Sequence, residues 1–556
     1  MPGTAPPRTS AGCASGDSPR TIGSPSVGRR WGDSWSSDPC PPTFRGSTAA
    51  PSPFRHSLVI SPDVALASTT DPISQTLVGG LLVAMFVALA LEKAHRVLVV
   101  MGAVALMWGI TYATPYRLLT FEATAQALDV NVLLLLAAMM ALVGVLKETG
   151  VFGWAVERIL ERFGGRPARA MVVLWWFTAI ASAFLDNVTT VIFVTPVVLA
   201  ASQRVGAPPL LVILPMIMAA NIGGTATLIG DPPNIMIGSG AGLTFLQFLE
   251  ELTIPVLIMM CGLHWWGARR LRAAMGTRAD LPAAADEPGY GPRITDPALL
   301  RWLGGISLFV LVGFVTHGIT HMPAAVPAVI GATAALLVQD VLYLRTAHPT
   351  HEERRHGILH IIEREIEWPT LVFFAFLFIL VGAAVATGLI DTLASLLQRG
   401  ILTGRDAFGL SEAGTLIFAA LLVAWVAAIL SALMDNIPFV AVSIPIIKVL
   451  TLALPGDATV LWWALSLGAC LGGNGTPIGA SANVTTLGMA EKQGIRITFG
   501  EFAAVGARVG VFTLLVSSLF LVGFVLLGPD RVALAGGGVL ALGAAALWRY
   551  ESRARG

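Results

Sequence analysis

The chain has 556 residues, of which 55% are hydrophobic and only 12% are charged, and its formal net charge is +1. Because a soluble globular protein carries about 25% charged residues, this composition predicts a protein that spends most of its length in lipid. The near-neutral charge argues against nucleic-acid binding, which normally requires a basic field, and the four cysteines show no spacing typical of a zinc site or a disulfide framework.

The chain opens on a polar segment that is followed by a long series of apolar ones. Residues 1–73 are rich in Pro, Ser, Gly and Thr and have no apolar periodicity, so they are predicted to form a disordered tail. From residue 74 onward, the apolar segments approach the roughly 20 residues that a helix needs to cross a bilayer. These predicted spans lie at about 74–91, 97–114, 128–147, 210–237, 252–268, 300–318, 323–344, 369–388, 459–488, 504–527 and 533–548.

Several apolar segments carry polar interruptions. The spans 210–237 and 459–488 are broken by runs rich in Gly, Pro and Asn, and two further stretches, 168–204 and 414–454, each carry Asp-Asn at their centre. Non-helical backbone at membrane depth is tolerated only where protein or a water-filled cavity satisfies it. We therefore predict two broken helices and two hairpins, and the helical spacing of apolar residues in 151–163 predicts an interfacial helix.

The Lys and Arg residues favour one orientation. Short cytoplasmic loops are enriched in these residues, and the basic segments fall on one side of the predicted layout, which we expect to be cytoplasmic. The polar, Pro/Gly-rich segment 273–298 is predicted to be a cytoplasmic linker, and 529–556 an extra C-terminal helix and tail that ends on the same side. The basic segments are residues 92–96, 269–272, 343–356, 491–496 and 548–555.

Two motifs repeat at one offset. The stretch SALMDNIPFVAVSIP (431–445) repeats SAFLDNVTTVIFVTP (182–196), and 435 − 186 = 249. CLGGNGTPIGASANV (470–484) repeats NIGGTATLIGDPPNI (221–235), and 472 − 223 is again 249. Two separate motifs that share one offset indicate a duplication.

The two copies are predicted to have opposite topologies. Each repeat, 74–272 and 299–528, contains an odd number of crossings around its hairpin, so the second copy is inverted relative to the first. Inverted repeats with interrupted helices are typical of secondary transporters whose site lies near the midplane. The predicted fold is thus an all-α integral membrane protein with two re-entrant hairpins whose tips meet the Gly-rich breaks.

The chemistry of the hairpin tips and breaks supplies the candidate site. Broken helices present free N–H groups that suit anions and free C=O groups that suit cations, glycine permits close approach of a ligand, and a carboxylate inside a membrane is functional by default because burying it is costly. The candidate ion- or substrate-binding residues are Asp186, Asn187, Thr189, Gly223, Gly224, Thr225, Thr227, Asp435, Asn436, Gly473, Asn474 and Thr476, with Ser182, Asp231, Asn234, Ser431 and Asn483 as further candidates.

These motifs resemble the ion-transporter superfamily that includes divalent-anion/sodium symporters, citrate transporters, arsenite permeases, NhaD-type sodium/proton antiporters and the melanosomal P-protein. SAFLDNVTT, NIGGTATLIGDPPN, EWPTLVFF (367–374) and GGNGTPIGASANV are most similar to the P-protein and ArsB/NhaD branch. The resemblance implies a homodimer in which a transport domain, made of the hairpins and broken helices, moves as an elevator against a scaffold domain.

The sequence departs from the dicarboxylate symporters at the hairpin tips. The resemblance implies Ser-Asn-Thr there, with the Asn binding sodium and the Asn and Thr meeting a substrate carboxylate. In this chain Asp186 and Asp435 replace the Ser, and Val188 and Ile437 replace the Thr. Two added negative charges would repel citrate unless protons or sodium neutralised them, so the departure favours cation or proton chemistry.

The leading hypothesis is a secondary active transporter of the sodium/proton type, in which each aspartate trades a proton for a cation. The alternatives are a sodium- or proton-coupled carrier of citrate, other carboxylates or chloride, an arsenite-type efflux permease, and a channel that uses the same tips as a filter. The expected partners are a small inorganic ion or anion and the lipid bilayer, with no nucleic acid and no cofactor beyond sodium or a proton as coupling ion. We do not expect an enzyme, because no nucleophile–base pair stands out, and the absence of a P-loop in strand–helix context gives ATP-driven transport no support.

Overall fold

The computed structural model describes residues 71–91, 93–163, 166–275, 294–347 and 360–553. Every regular element in these ranges is helical, and twelve helices are long and apolar enough to cross a membrane. The predicted all-α class is therefore confirmed. Most of the predicted N-terminal tail, residues 276–293 of the predicted linker and the last three residues lie outside the described ranges.

The first half of the chain contains ten helices among its described residues. They are α1 (Pro72–Ala90), α2 (Arg96–Ala113), α3 (Phe121–Ala127), α4 (Val130–Glu148), α5 (Val151–Phe163), α6 (Pro167–Phe184), α7 (Asn187–Arg204), α8 (Pro209–Gly224), α9 (Pro232–Ala241) and α10 (Phe245–Met275). Thus α6 and α7 form the first predicted hairpin, and α8 and α9 are the two halves of the first broken helix.

The second half follows the same order. Its α-helices are α11 (Pro297–Thr320), α12 (Ala325–Ala347), α13 (Trp368–Ala386), α14 (Leu389–Phe408), α15 (Glu412–Leu433), α16 (Asn436–Ala453), α17 (Val460–Gly472), α18 (Ser481–Lys492), α19 (Phe499–Leu527) and α20 (Pro529–Arg553). A short π-helical turn, Ile361–Glu365, precedes α13, and a 3₁₀ turn, Gly473–Gly475, follows α17. The second hairpin is α15 and α16, and the second broken helix is α17 and α18.

Some boundaries differ from the predictions for identifiable reasons. Helix α1 begins at Pro72 rather than at residue 74, because the Asp71 carboxylate accepts hydrogen bonds from the N–H groups of Ile73 and Ser74 and caps the helix. Helix α10 runs well past the predicted span 252–268 at both ends. Charged residues near its ends lower the local hydropathy, although they do not interrupt the helix.

The sequence prediction missed α14 and α3. Helix α14 is amphipathic, with few buried residues along its length, so a search for continuous apolar segments passes over it. It stands directly before the second hairpin, as the correctly predicted helix α5 stands before the first. The duplication therefore extends to a pair of amphipathic helices.

The repeats interlock through the return arms of the hairpins. These arms, α7 and α16, begin at Asn187 and Asn436 and end at Arg204 and Ala453, so both pairs of ends differ by the same 249 residues (436 − 187 and 453 − 204). Helix α7 packs against α18 of the other repeat, and α16 packs against α9. Each hairpin thus stands between its own break and that of the other copy.

Candidate functional site

The first hairpin reverses within two residues, Leu185 and Asp186. Leu185 closes α6 in an extended conformation, and Asp186, also extended, is the N-cap of α7. One carboxylate oxygen of Asp186 accepts a hydrogen bond from the backbone N–H of Thr189 at 2.8 Å, and the other accepts one from the Thr189 hydroxyl. The side chain thereby satisfies a free donor of the first helical turn. Only 8% of the residue is exposed, so this carboxylate is buried.

The second hairpin has the same geometry with different partners. Met434 closes α15, and Asp435 caps α16 by accepting a hydrogen bond from the N–H of Ile437 at 3.4 Å. The other carboxylate oxygen of Asp435 accepts a hydrogen bond from the hydroxyl of Ser481, the first residue of α18, at 2.6 Å. The two predicted aspartates are equivalent in the repeat, but their surroundings are not.

Each hairpin is tied to the break of its own repeat. The hydroxyl of Thr227 donates to the carbonyl oxygen of Ala183, and the hydroxyl of Thr476 donates to that of Ala432. Both carbonyl groups belong to the last turn of an outgoing arm and have no partner within the helix. The prediction that the hairpin tips meet the Gly-rich breaks is therefore confirmed.

Glycine allows the two backbone segments of each break to lie against one another. A Cβ atom on Gly224 would lie 2.5 Å from the carbonyl oxygen of Gly230, and one on Gly473 would lie 2.9 Å from that of Gly479. Both obstacles are backbone atoms, which cannot rotate away. These predicted residues thus owe their identity to close packing, and their contact with a ligand stays a prediction.

Two asparagines at equivalent positions hold the breaks. The amide nitrogen of Asn234 donates to the carbonyl oxygens of Thr225 at 3.2 Å and Thr227 at 3.0 Å. Asn483 does the same with two carbonyl groups of the second break, at 2.7 and 2.9 Å. Both side chains satisfy backbone that leaves the helical pattern, so their amide nitrogens are committed to structure.

A third asparagine, Asn221 at the end of α8, joins the two repeats. Its side-chain oxygen accepts a hydrogen bond from Asn187 at 3.3 Å. Its amide nitrogen donates to the side-chain oxygens of Asn474 and Asn483, at 3.0 Å each. The candidate residues of the first hairpin and the second break therefore form one fully buried amide network.

Some polar atoms of the site have no protein partner within the described ranges. They are the hydroxyl of Ser182 and the amide nitrogen of Asn474. Buried polar atoms are normally hydrogen-bonded, so such atoms call for an ion, a water or a substrate. Ser431 differs from its counterpart Ser182, because its hydroxyl donates to the carbonyl oxygen of Ala469 at 2.6 Å.

Acidic groups dominate the electrostatics. Asp231 is 1% exposed, and the negative charges of Asp186 and Asp435 repel its carboxylate. Glu367, which precedes α13, repels Asp186 in the same way. Among the described residues, Asp435 forms an ion pair with Arg96 at 3.5 Å. Asp186 has no such partner there.

Sequence reasoning missed three residues of the site, Asn221, Ser481 and Arg96. Asn221 aligns with Cys470, and Ser481 aligns with Pro232, so comparison of the repeats did not mark them. Arg96 was interpreted only as one of the basic residues that set the orientation. An asparagine within the apolar run MAANIGG was the available signal for Asn221, because burying an amide requires partners.

We predict that Asn221→Leu destabilises the protein. The substitution leaves the amide of Asn187 and the side-chain oxygens of Asn474 and Asn483 without a partner, and each such group costs about 1–3 kcal/mol. We expect the melting temperature of the detergent-solubilised protein to fall by several degrees. Gln203→Leu, which removes an exposed amide of α7, is the matched control, and equal melting temperatures for the two variants would contradict the assignment.

The sequence of this chain is similar to a transporter family and to individual proteins. The family model described as the CitMHS citrate transporter matches residues 86–468. An uncharacterized transporter of Mycobacterium tuberculosis is 36% identical over 441 residues, which cover 79% of this chain and 96% of the relative. The human P protein is 29% identical over 522 residues, with 80% of this chain and 59% of that protein covered.

The similarity to a solved structure concerns the fold alone. The crystal structure of the YdaH transporter from Alcanivorax borkumensis superposes with a TM-score of 0.53 and covers 82% of this chain and 98% of its own. Its sequence identity is 15%. The fold of this chain is thus that of a solved membrane transporter.

Proposed function

Since this chain belongs to the citrate transporter family, we propose that it is a secondary active transporter in which Asp186 and Asp435 exchange cations or protons across the membrane. The observation that carries the proposal is that three aspartates lie where the hairpins and breaks converge: Asp186 and Asp435 cap the return arms of the hairpins, and Asp231 directly precedes α9. Carboxylates shielded from water are stable only when protonated, paired or bound to a cation. A site of this kind is suited to trading one positive charge for another.

The first repeat supplies the exchanging half of the site in this proposal. The carboxylate of Asp186 is held by Thr189 but has no basic partner in the described structure. Asp231 lies close to it, next to the side chains of Asn436 and Cys470. The side-chain oxygen of Asn187, the next residue, would add a neutral oxygen to these carboxylates, and oxygen ligands are the type that sodium prefers.

The proposed motion follows the family resemblance. The hairpins and breaks are locked together by threonine–carbonyl bonds in both repeats, which supports their movement as one transport domain. Alternating access by rigid-body movement around a fixed site is the usual mechanism for inverted-repeat transporters. The re-entrant hairpins, the elevator movement and the homodimer remain part of the proposal.

Flux measurements in proteoliposomes test the proposal. We expect uptake of radioactive sodium to be driven by an imposed pH gradient and to show saturable counterflow at zero voltage. Empty liposomes are the control for leakage. Large single-channel currents would favour the channel alternative, and sodium- and proton-independent flux of any substrate would contradict the exchange mechanism.

A second candidate function is transport of an anion such as citrate, another carboxylate or chloride. It is favoured by the guanidinium of Arg96 and by the N-termini of α7, α9, α16 and α18, which all begin at the site and carry partial positive charge. Sodium or protons would then screen the aspartates. Labelled citrate, chloride and arsenite in the same proteoliposomes distinguish these alternatives, because only the anion carrier gives sodium-stimulated anion uptake.

A further inference from the structure

Arg96, the first residue of α2, reaches the tip of the second hairpin. One guanidinium nitrogen, Nη1, lies 3.5 Å from Oδ2 of Asp435 and donates to the hydroxyl of Ser481 at 2.9 Å. The side chains of Arg96 and Asp435 are 33% and 22% exposed, so the pair is partly shielded from solvent. The contact joins α2 to the two elements of the second repeat that form its half of the site.

The guanidinium is anchored from its other side. Nη2 of Arg96 donates to the hydroxyl of Thr370 at 2.9 Å, and that hydroxyl donates to the carboxylate of Glu367 at 2.9 Å. The guanidinium carbon also lies 5.6 Å from the ring centroid of Phe373, a favourable cation–π distance. Because α2 packs against α13, these two helices fix the position of Arg96, and its guanidinium lies against the tip of the second hairpin.

The first repeat has no equivalent of this arrangement among the described residues. The position that corresponds to Ser481 is occupied by Pro232, which has no hydroxyl. No ion pair reaches Asp186 in the described ranges. Of the two duplicated aspartates, Asp435 alone has a basic partner among the residues that the structure describes.

We propose that Arg96 is a tethered cation that occupies the Asp435 half of the site, so that a transported cation binds on the Asp186 side alone. The inference rests on the proposed function and narrows it, from exchange at both aspartates to cation binding at Asp186 while Asp435 is paired with Arg96. Arg96 itself contacts no transported ion, so it is a positioning residue. Because it occupies Asp435, a cation can reach that carboxylate only when α2 and the second hairpin separate. The ion pair therefore links occupancy of the second half-site to the relative movement of these elements.

Sodium binding to the purified full-length protein tests the inference. The probe is radioactive sodium, measured at saturation and mildly alkaline pH as ions bound per chain. Arg96→Gln removes the charge but keeps an amide, so we expect one more sodium per chain than in the wild type. Arg96→Lys keeps the charge and should retain the wild-type number, as should the control Arg301→Gln, which removes an exposed arginine.

The double variant separates the charge from the fold. Arg96→Gln with Asp435→Asn removes the cation together with its partner, and we expect the number of bound sodium ions to return to that of the wild type. A merely structural ion pair would change melting temperatures and leave all the sodium numbers equal. Equal numbers for the wild type and Arg96→Gln, in protein that elutes as a folded species, would overturn the inference.

The two proposals fail in different measurements. The proposed function fails if proteoliposomes show no sodium or proton flux that depends on Asp186, whatever the number of bound ions. The inference fails on the binding count alone, even in a protein that exchanges sodium for protons. If neither the wild type nor Arg96→Gln binds sodium, Asp435 is no cation site and the inference is wrong.

Discussion

Asp186→Asn is expected to lower coupled cation flux by about 30-fold or more, because loss of one member of a buried charge pair costs about 2 kcal/mol or more and 1.4 kcal/mol is a factor of ten. The neutral amide cannot trade a proton for a cation. Asparagine is as good an N-cap as aspartate, so its oxygen can still accept the hydrogen bond from the N–H of Thr189. We therefore expect the fold to survive while exchange is lost.

The control is the same substitution at a cap outside the site. Asp296 caps α11 by accepting hydrogen bonds from two backbone N–H groups at 2.9 Å. Asp296→Asn should retain wild-type flux, and the two variants should have similar melting temperatures. Sodium/proton exchange that persists in Asp186→Asn would show that this carboxylate does not carry the coupling ion.

The duplicated motifs predicted the architecture of the site well, for a physical reason. A hairpin that reverses in two residues needs a capping side chain at one defined position, which Asp186 and Asp435 fill. A break needs glycine where backbone meets backbone, as at Gly224 and Gly473. Because these requirements are local and occur twice, one offset in the sequence was sufficient to locate them.

The contacts that make the two halves unequal could not be predicted in this way. Arg96 and Asp435 are separated by more than half of the chain, and their ion pair exists only because α2 and the second hairpin are neighbours in space. Asn221 likewise acts through partners in the other repeat. Comparison of the repeats detects what the copies share, whereas the inference about Arg96 depends on where they differ.

Amphipathic elements were also difficult to predict. Helix α14 has polar residues on its exposed face, so its mean hydropathy does not distinguish it from a loop. The charges at the ends of α10 had the same effect on its boundaries. Hydropathy measures the preference of a segment for lipid, and these residues lie where that preference is weakest.

Gly223→Ala is expected to have the largest effect on the fold. A Cβ at residue 223 would lie 2.1 Å from the carbonyl oxygen and 2.5 Å from the Cα of Ala179 in α6. Both are backbone atoms, so α6 and α8 must move apart to restore an ordinary contact. Overpacking costs about 1–3 kcal/mol of stability and occasionally more. The displacement also moves the hairpin tip relative to the break, and a binding site loses function when its residues are displaced by more than about 0.5 Å.

We expect Gly223→Ala to yield little folded protein on size-exclusion chromatography, and the recovered fraction to have a lower melting temperature and little flux. Gly472→Ala should behave alike, because its Cβ would lie 2.5 Å from the Cα and carbonyl oxygen of Ala428. Gly102→Ala in α2 is the control, since a Cβ there has nothing within 4 Å and alanine favours a helix by about 0.5–1 kcal/mol. If Gly223→Ala were as stable and active as Gly102→Ala, the close contact between α6 and α8 would not be needed to position the site. The proposal that hairpin and broken helix move as one rigid domain would then lose its support.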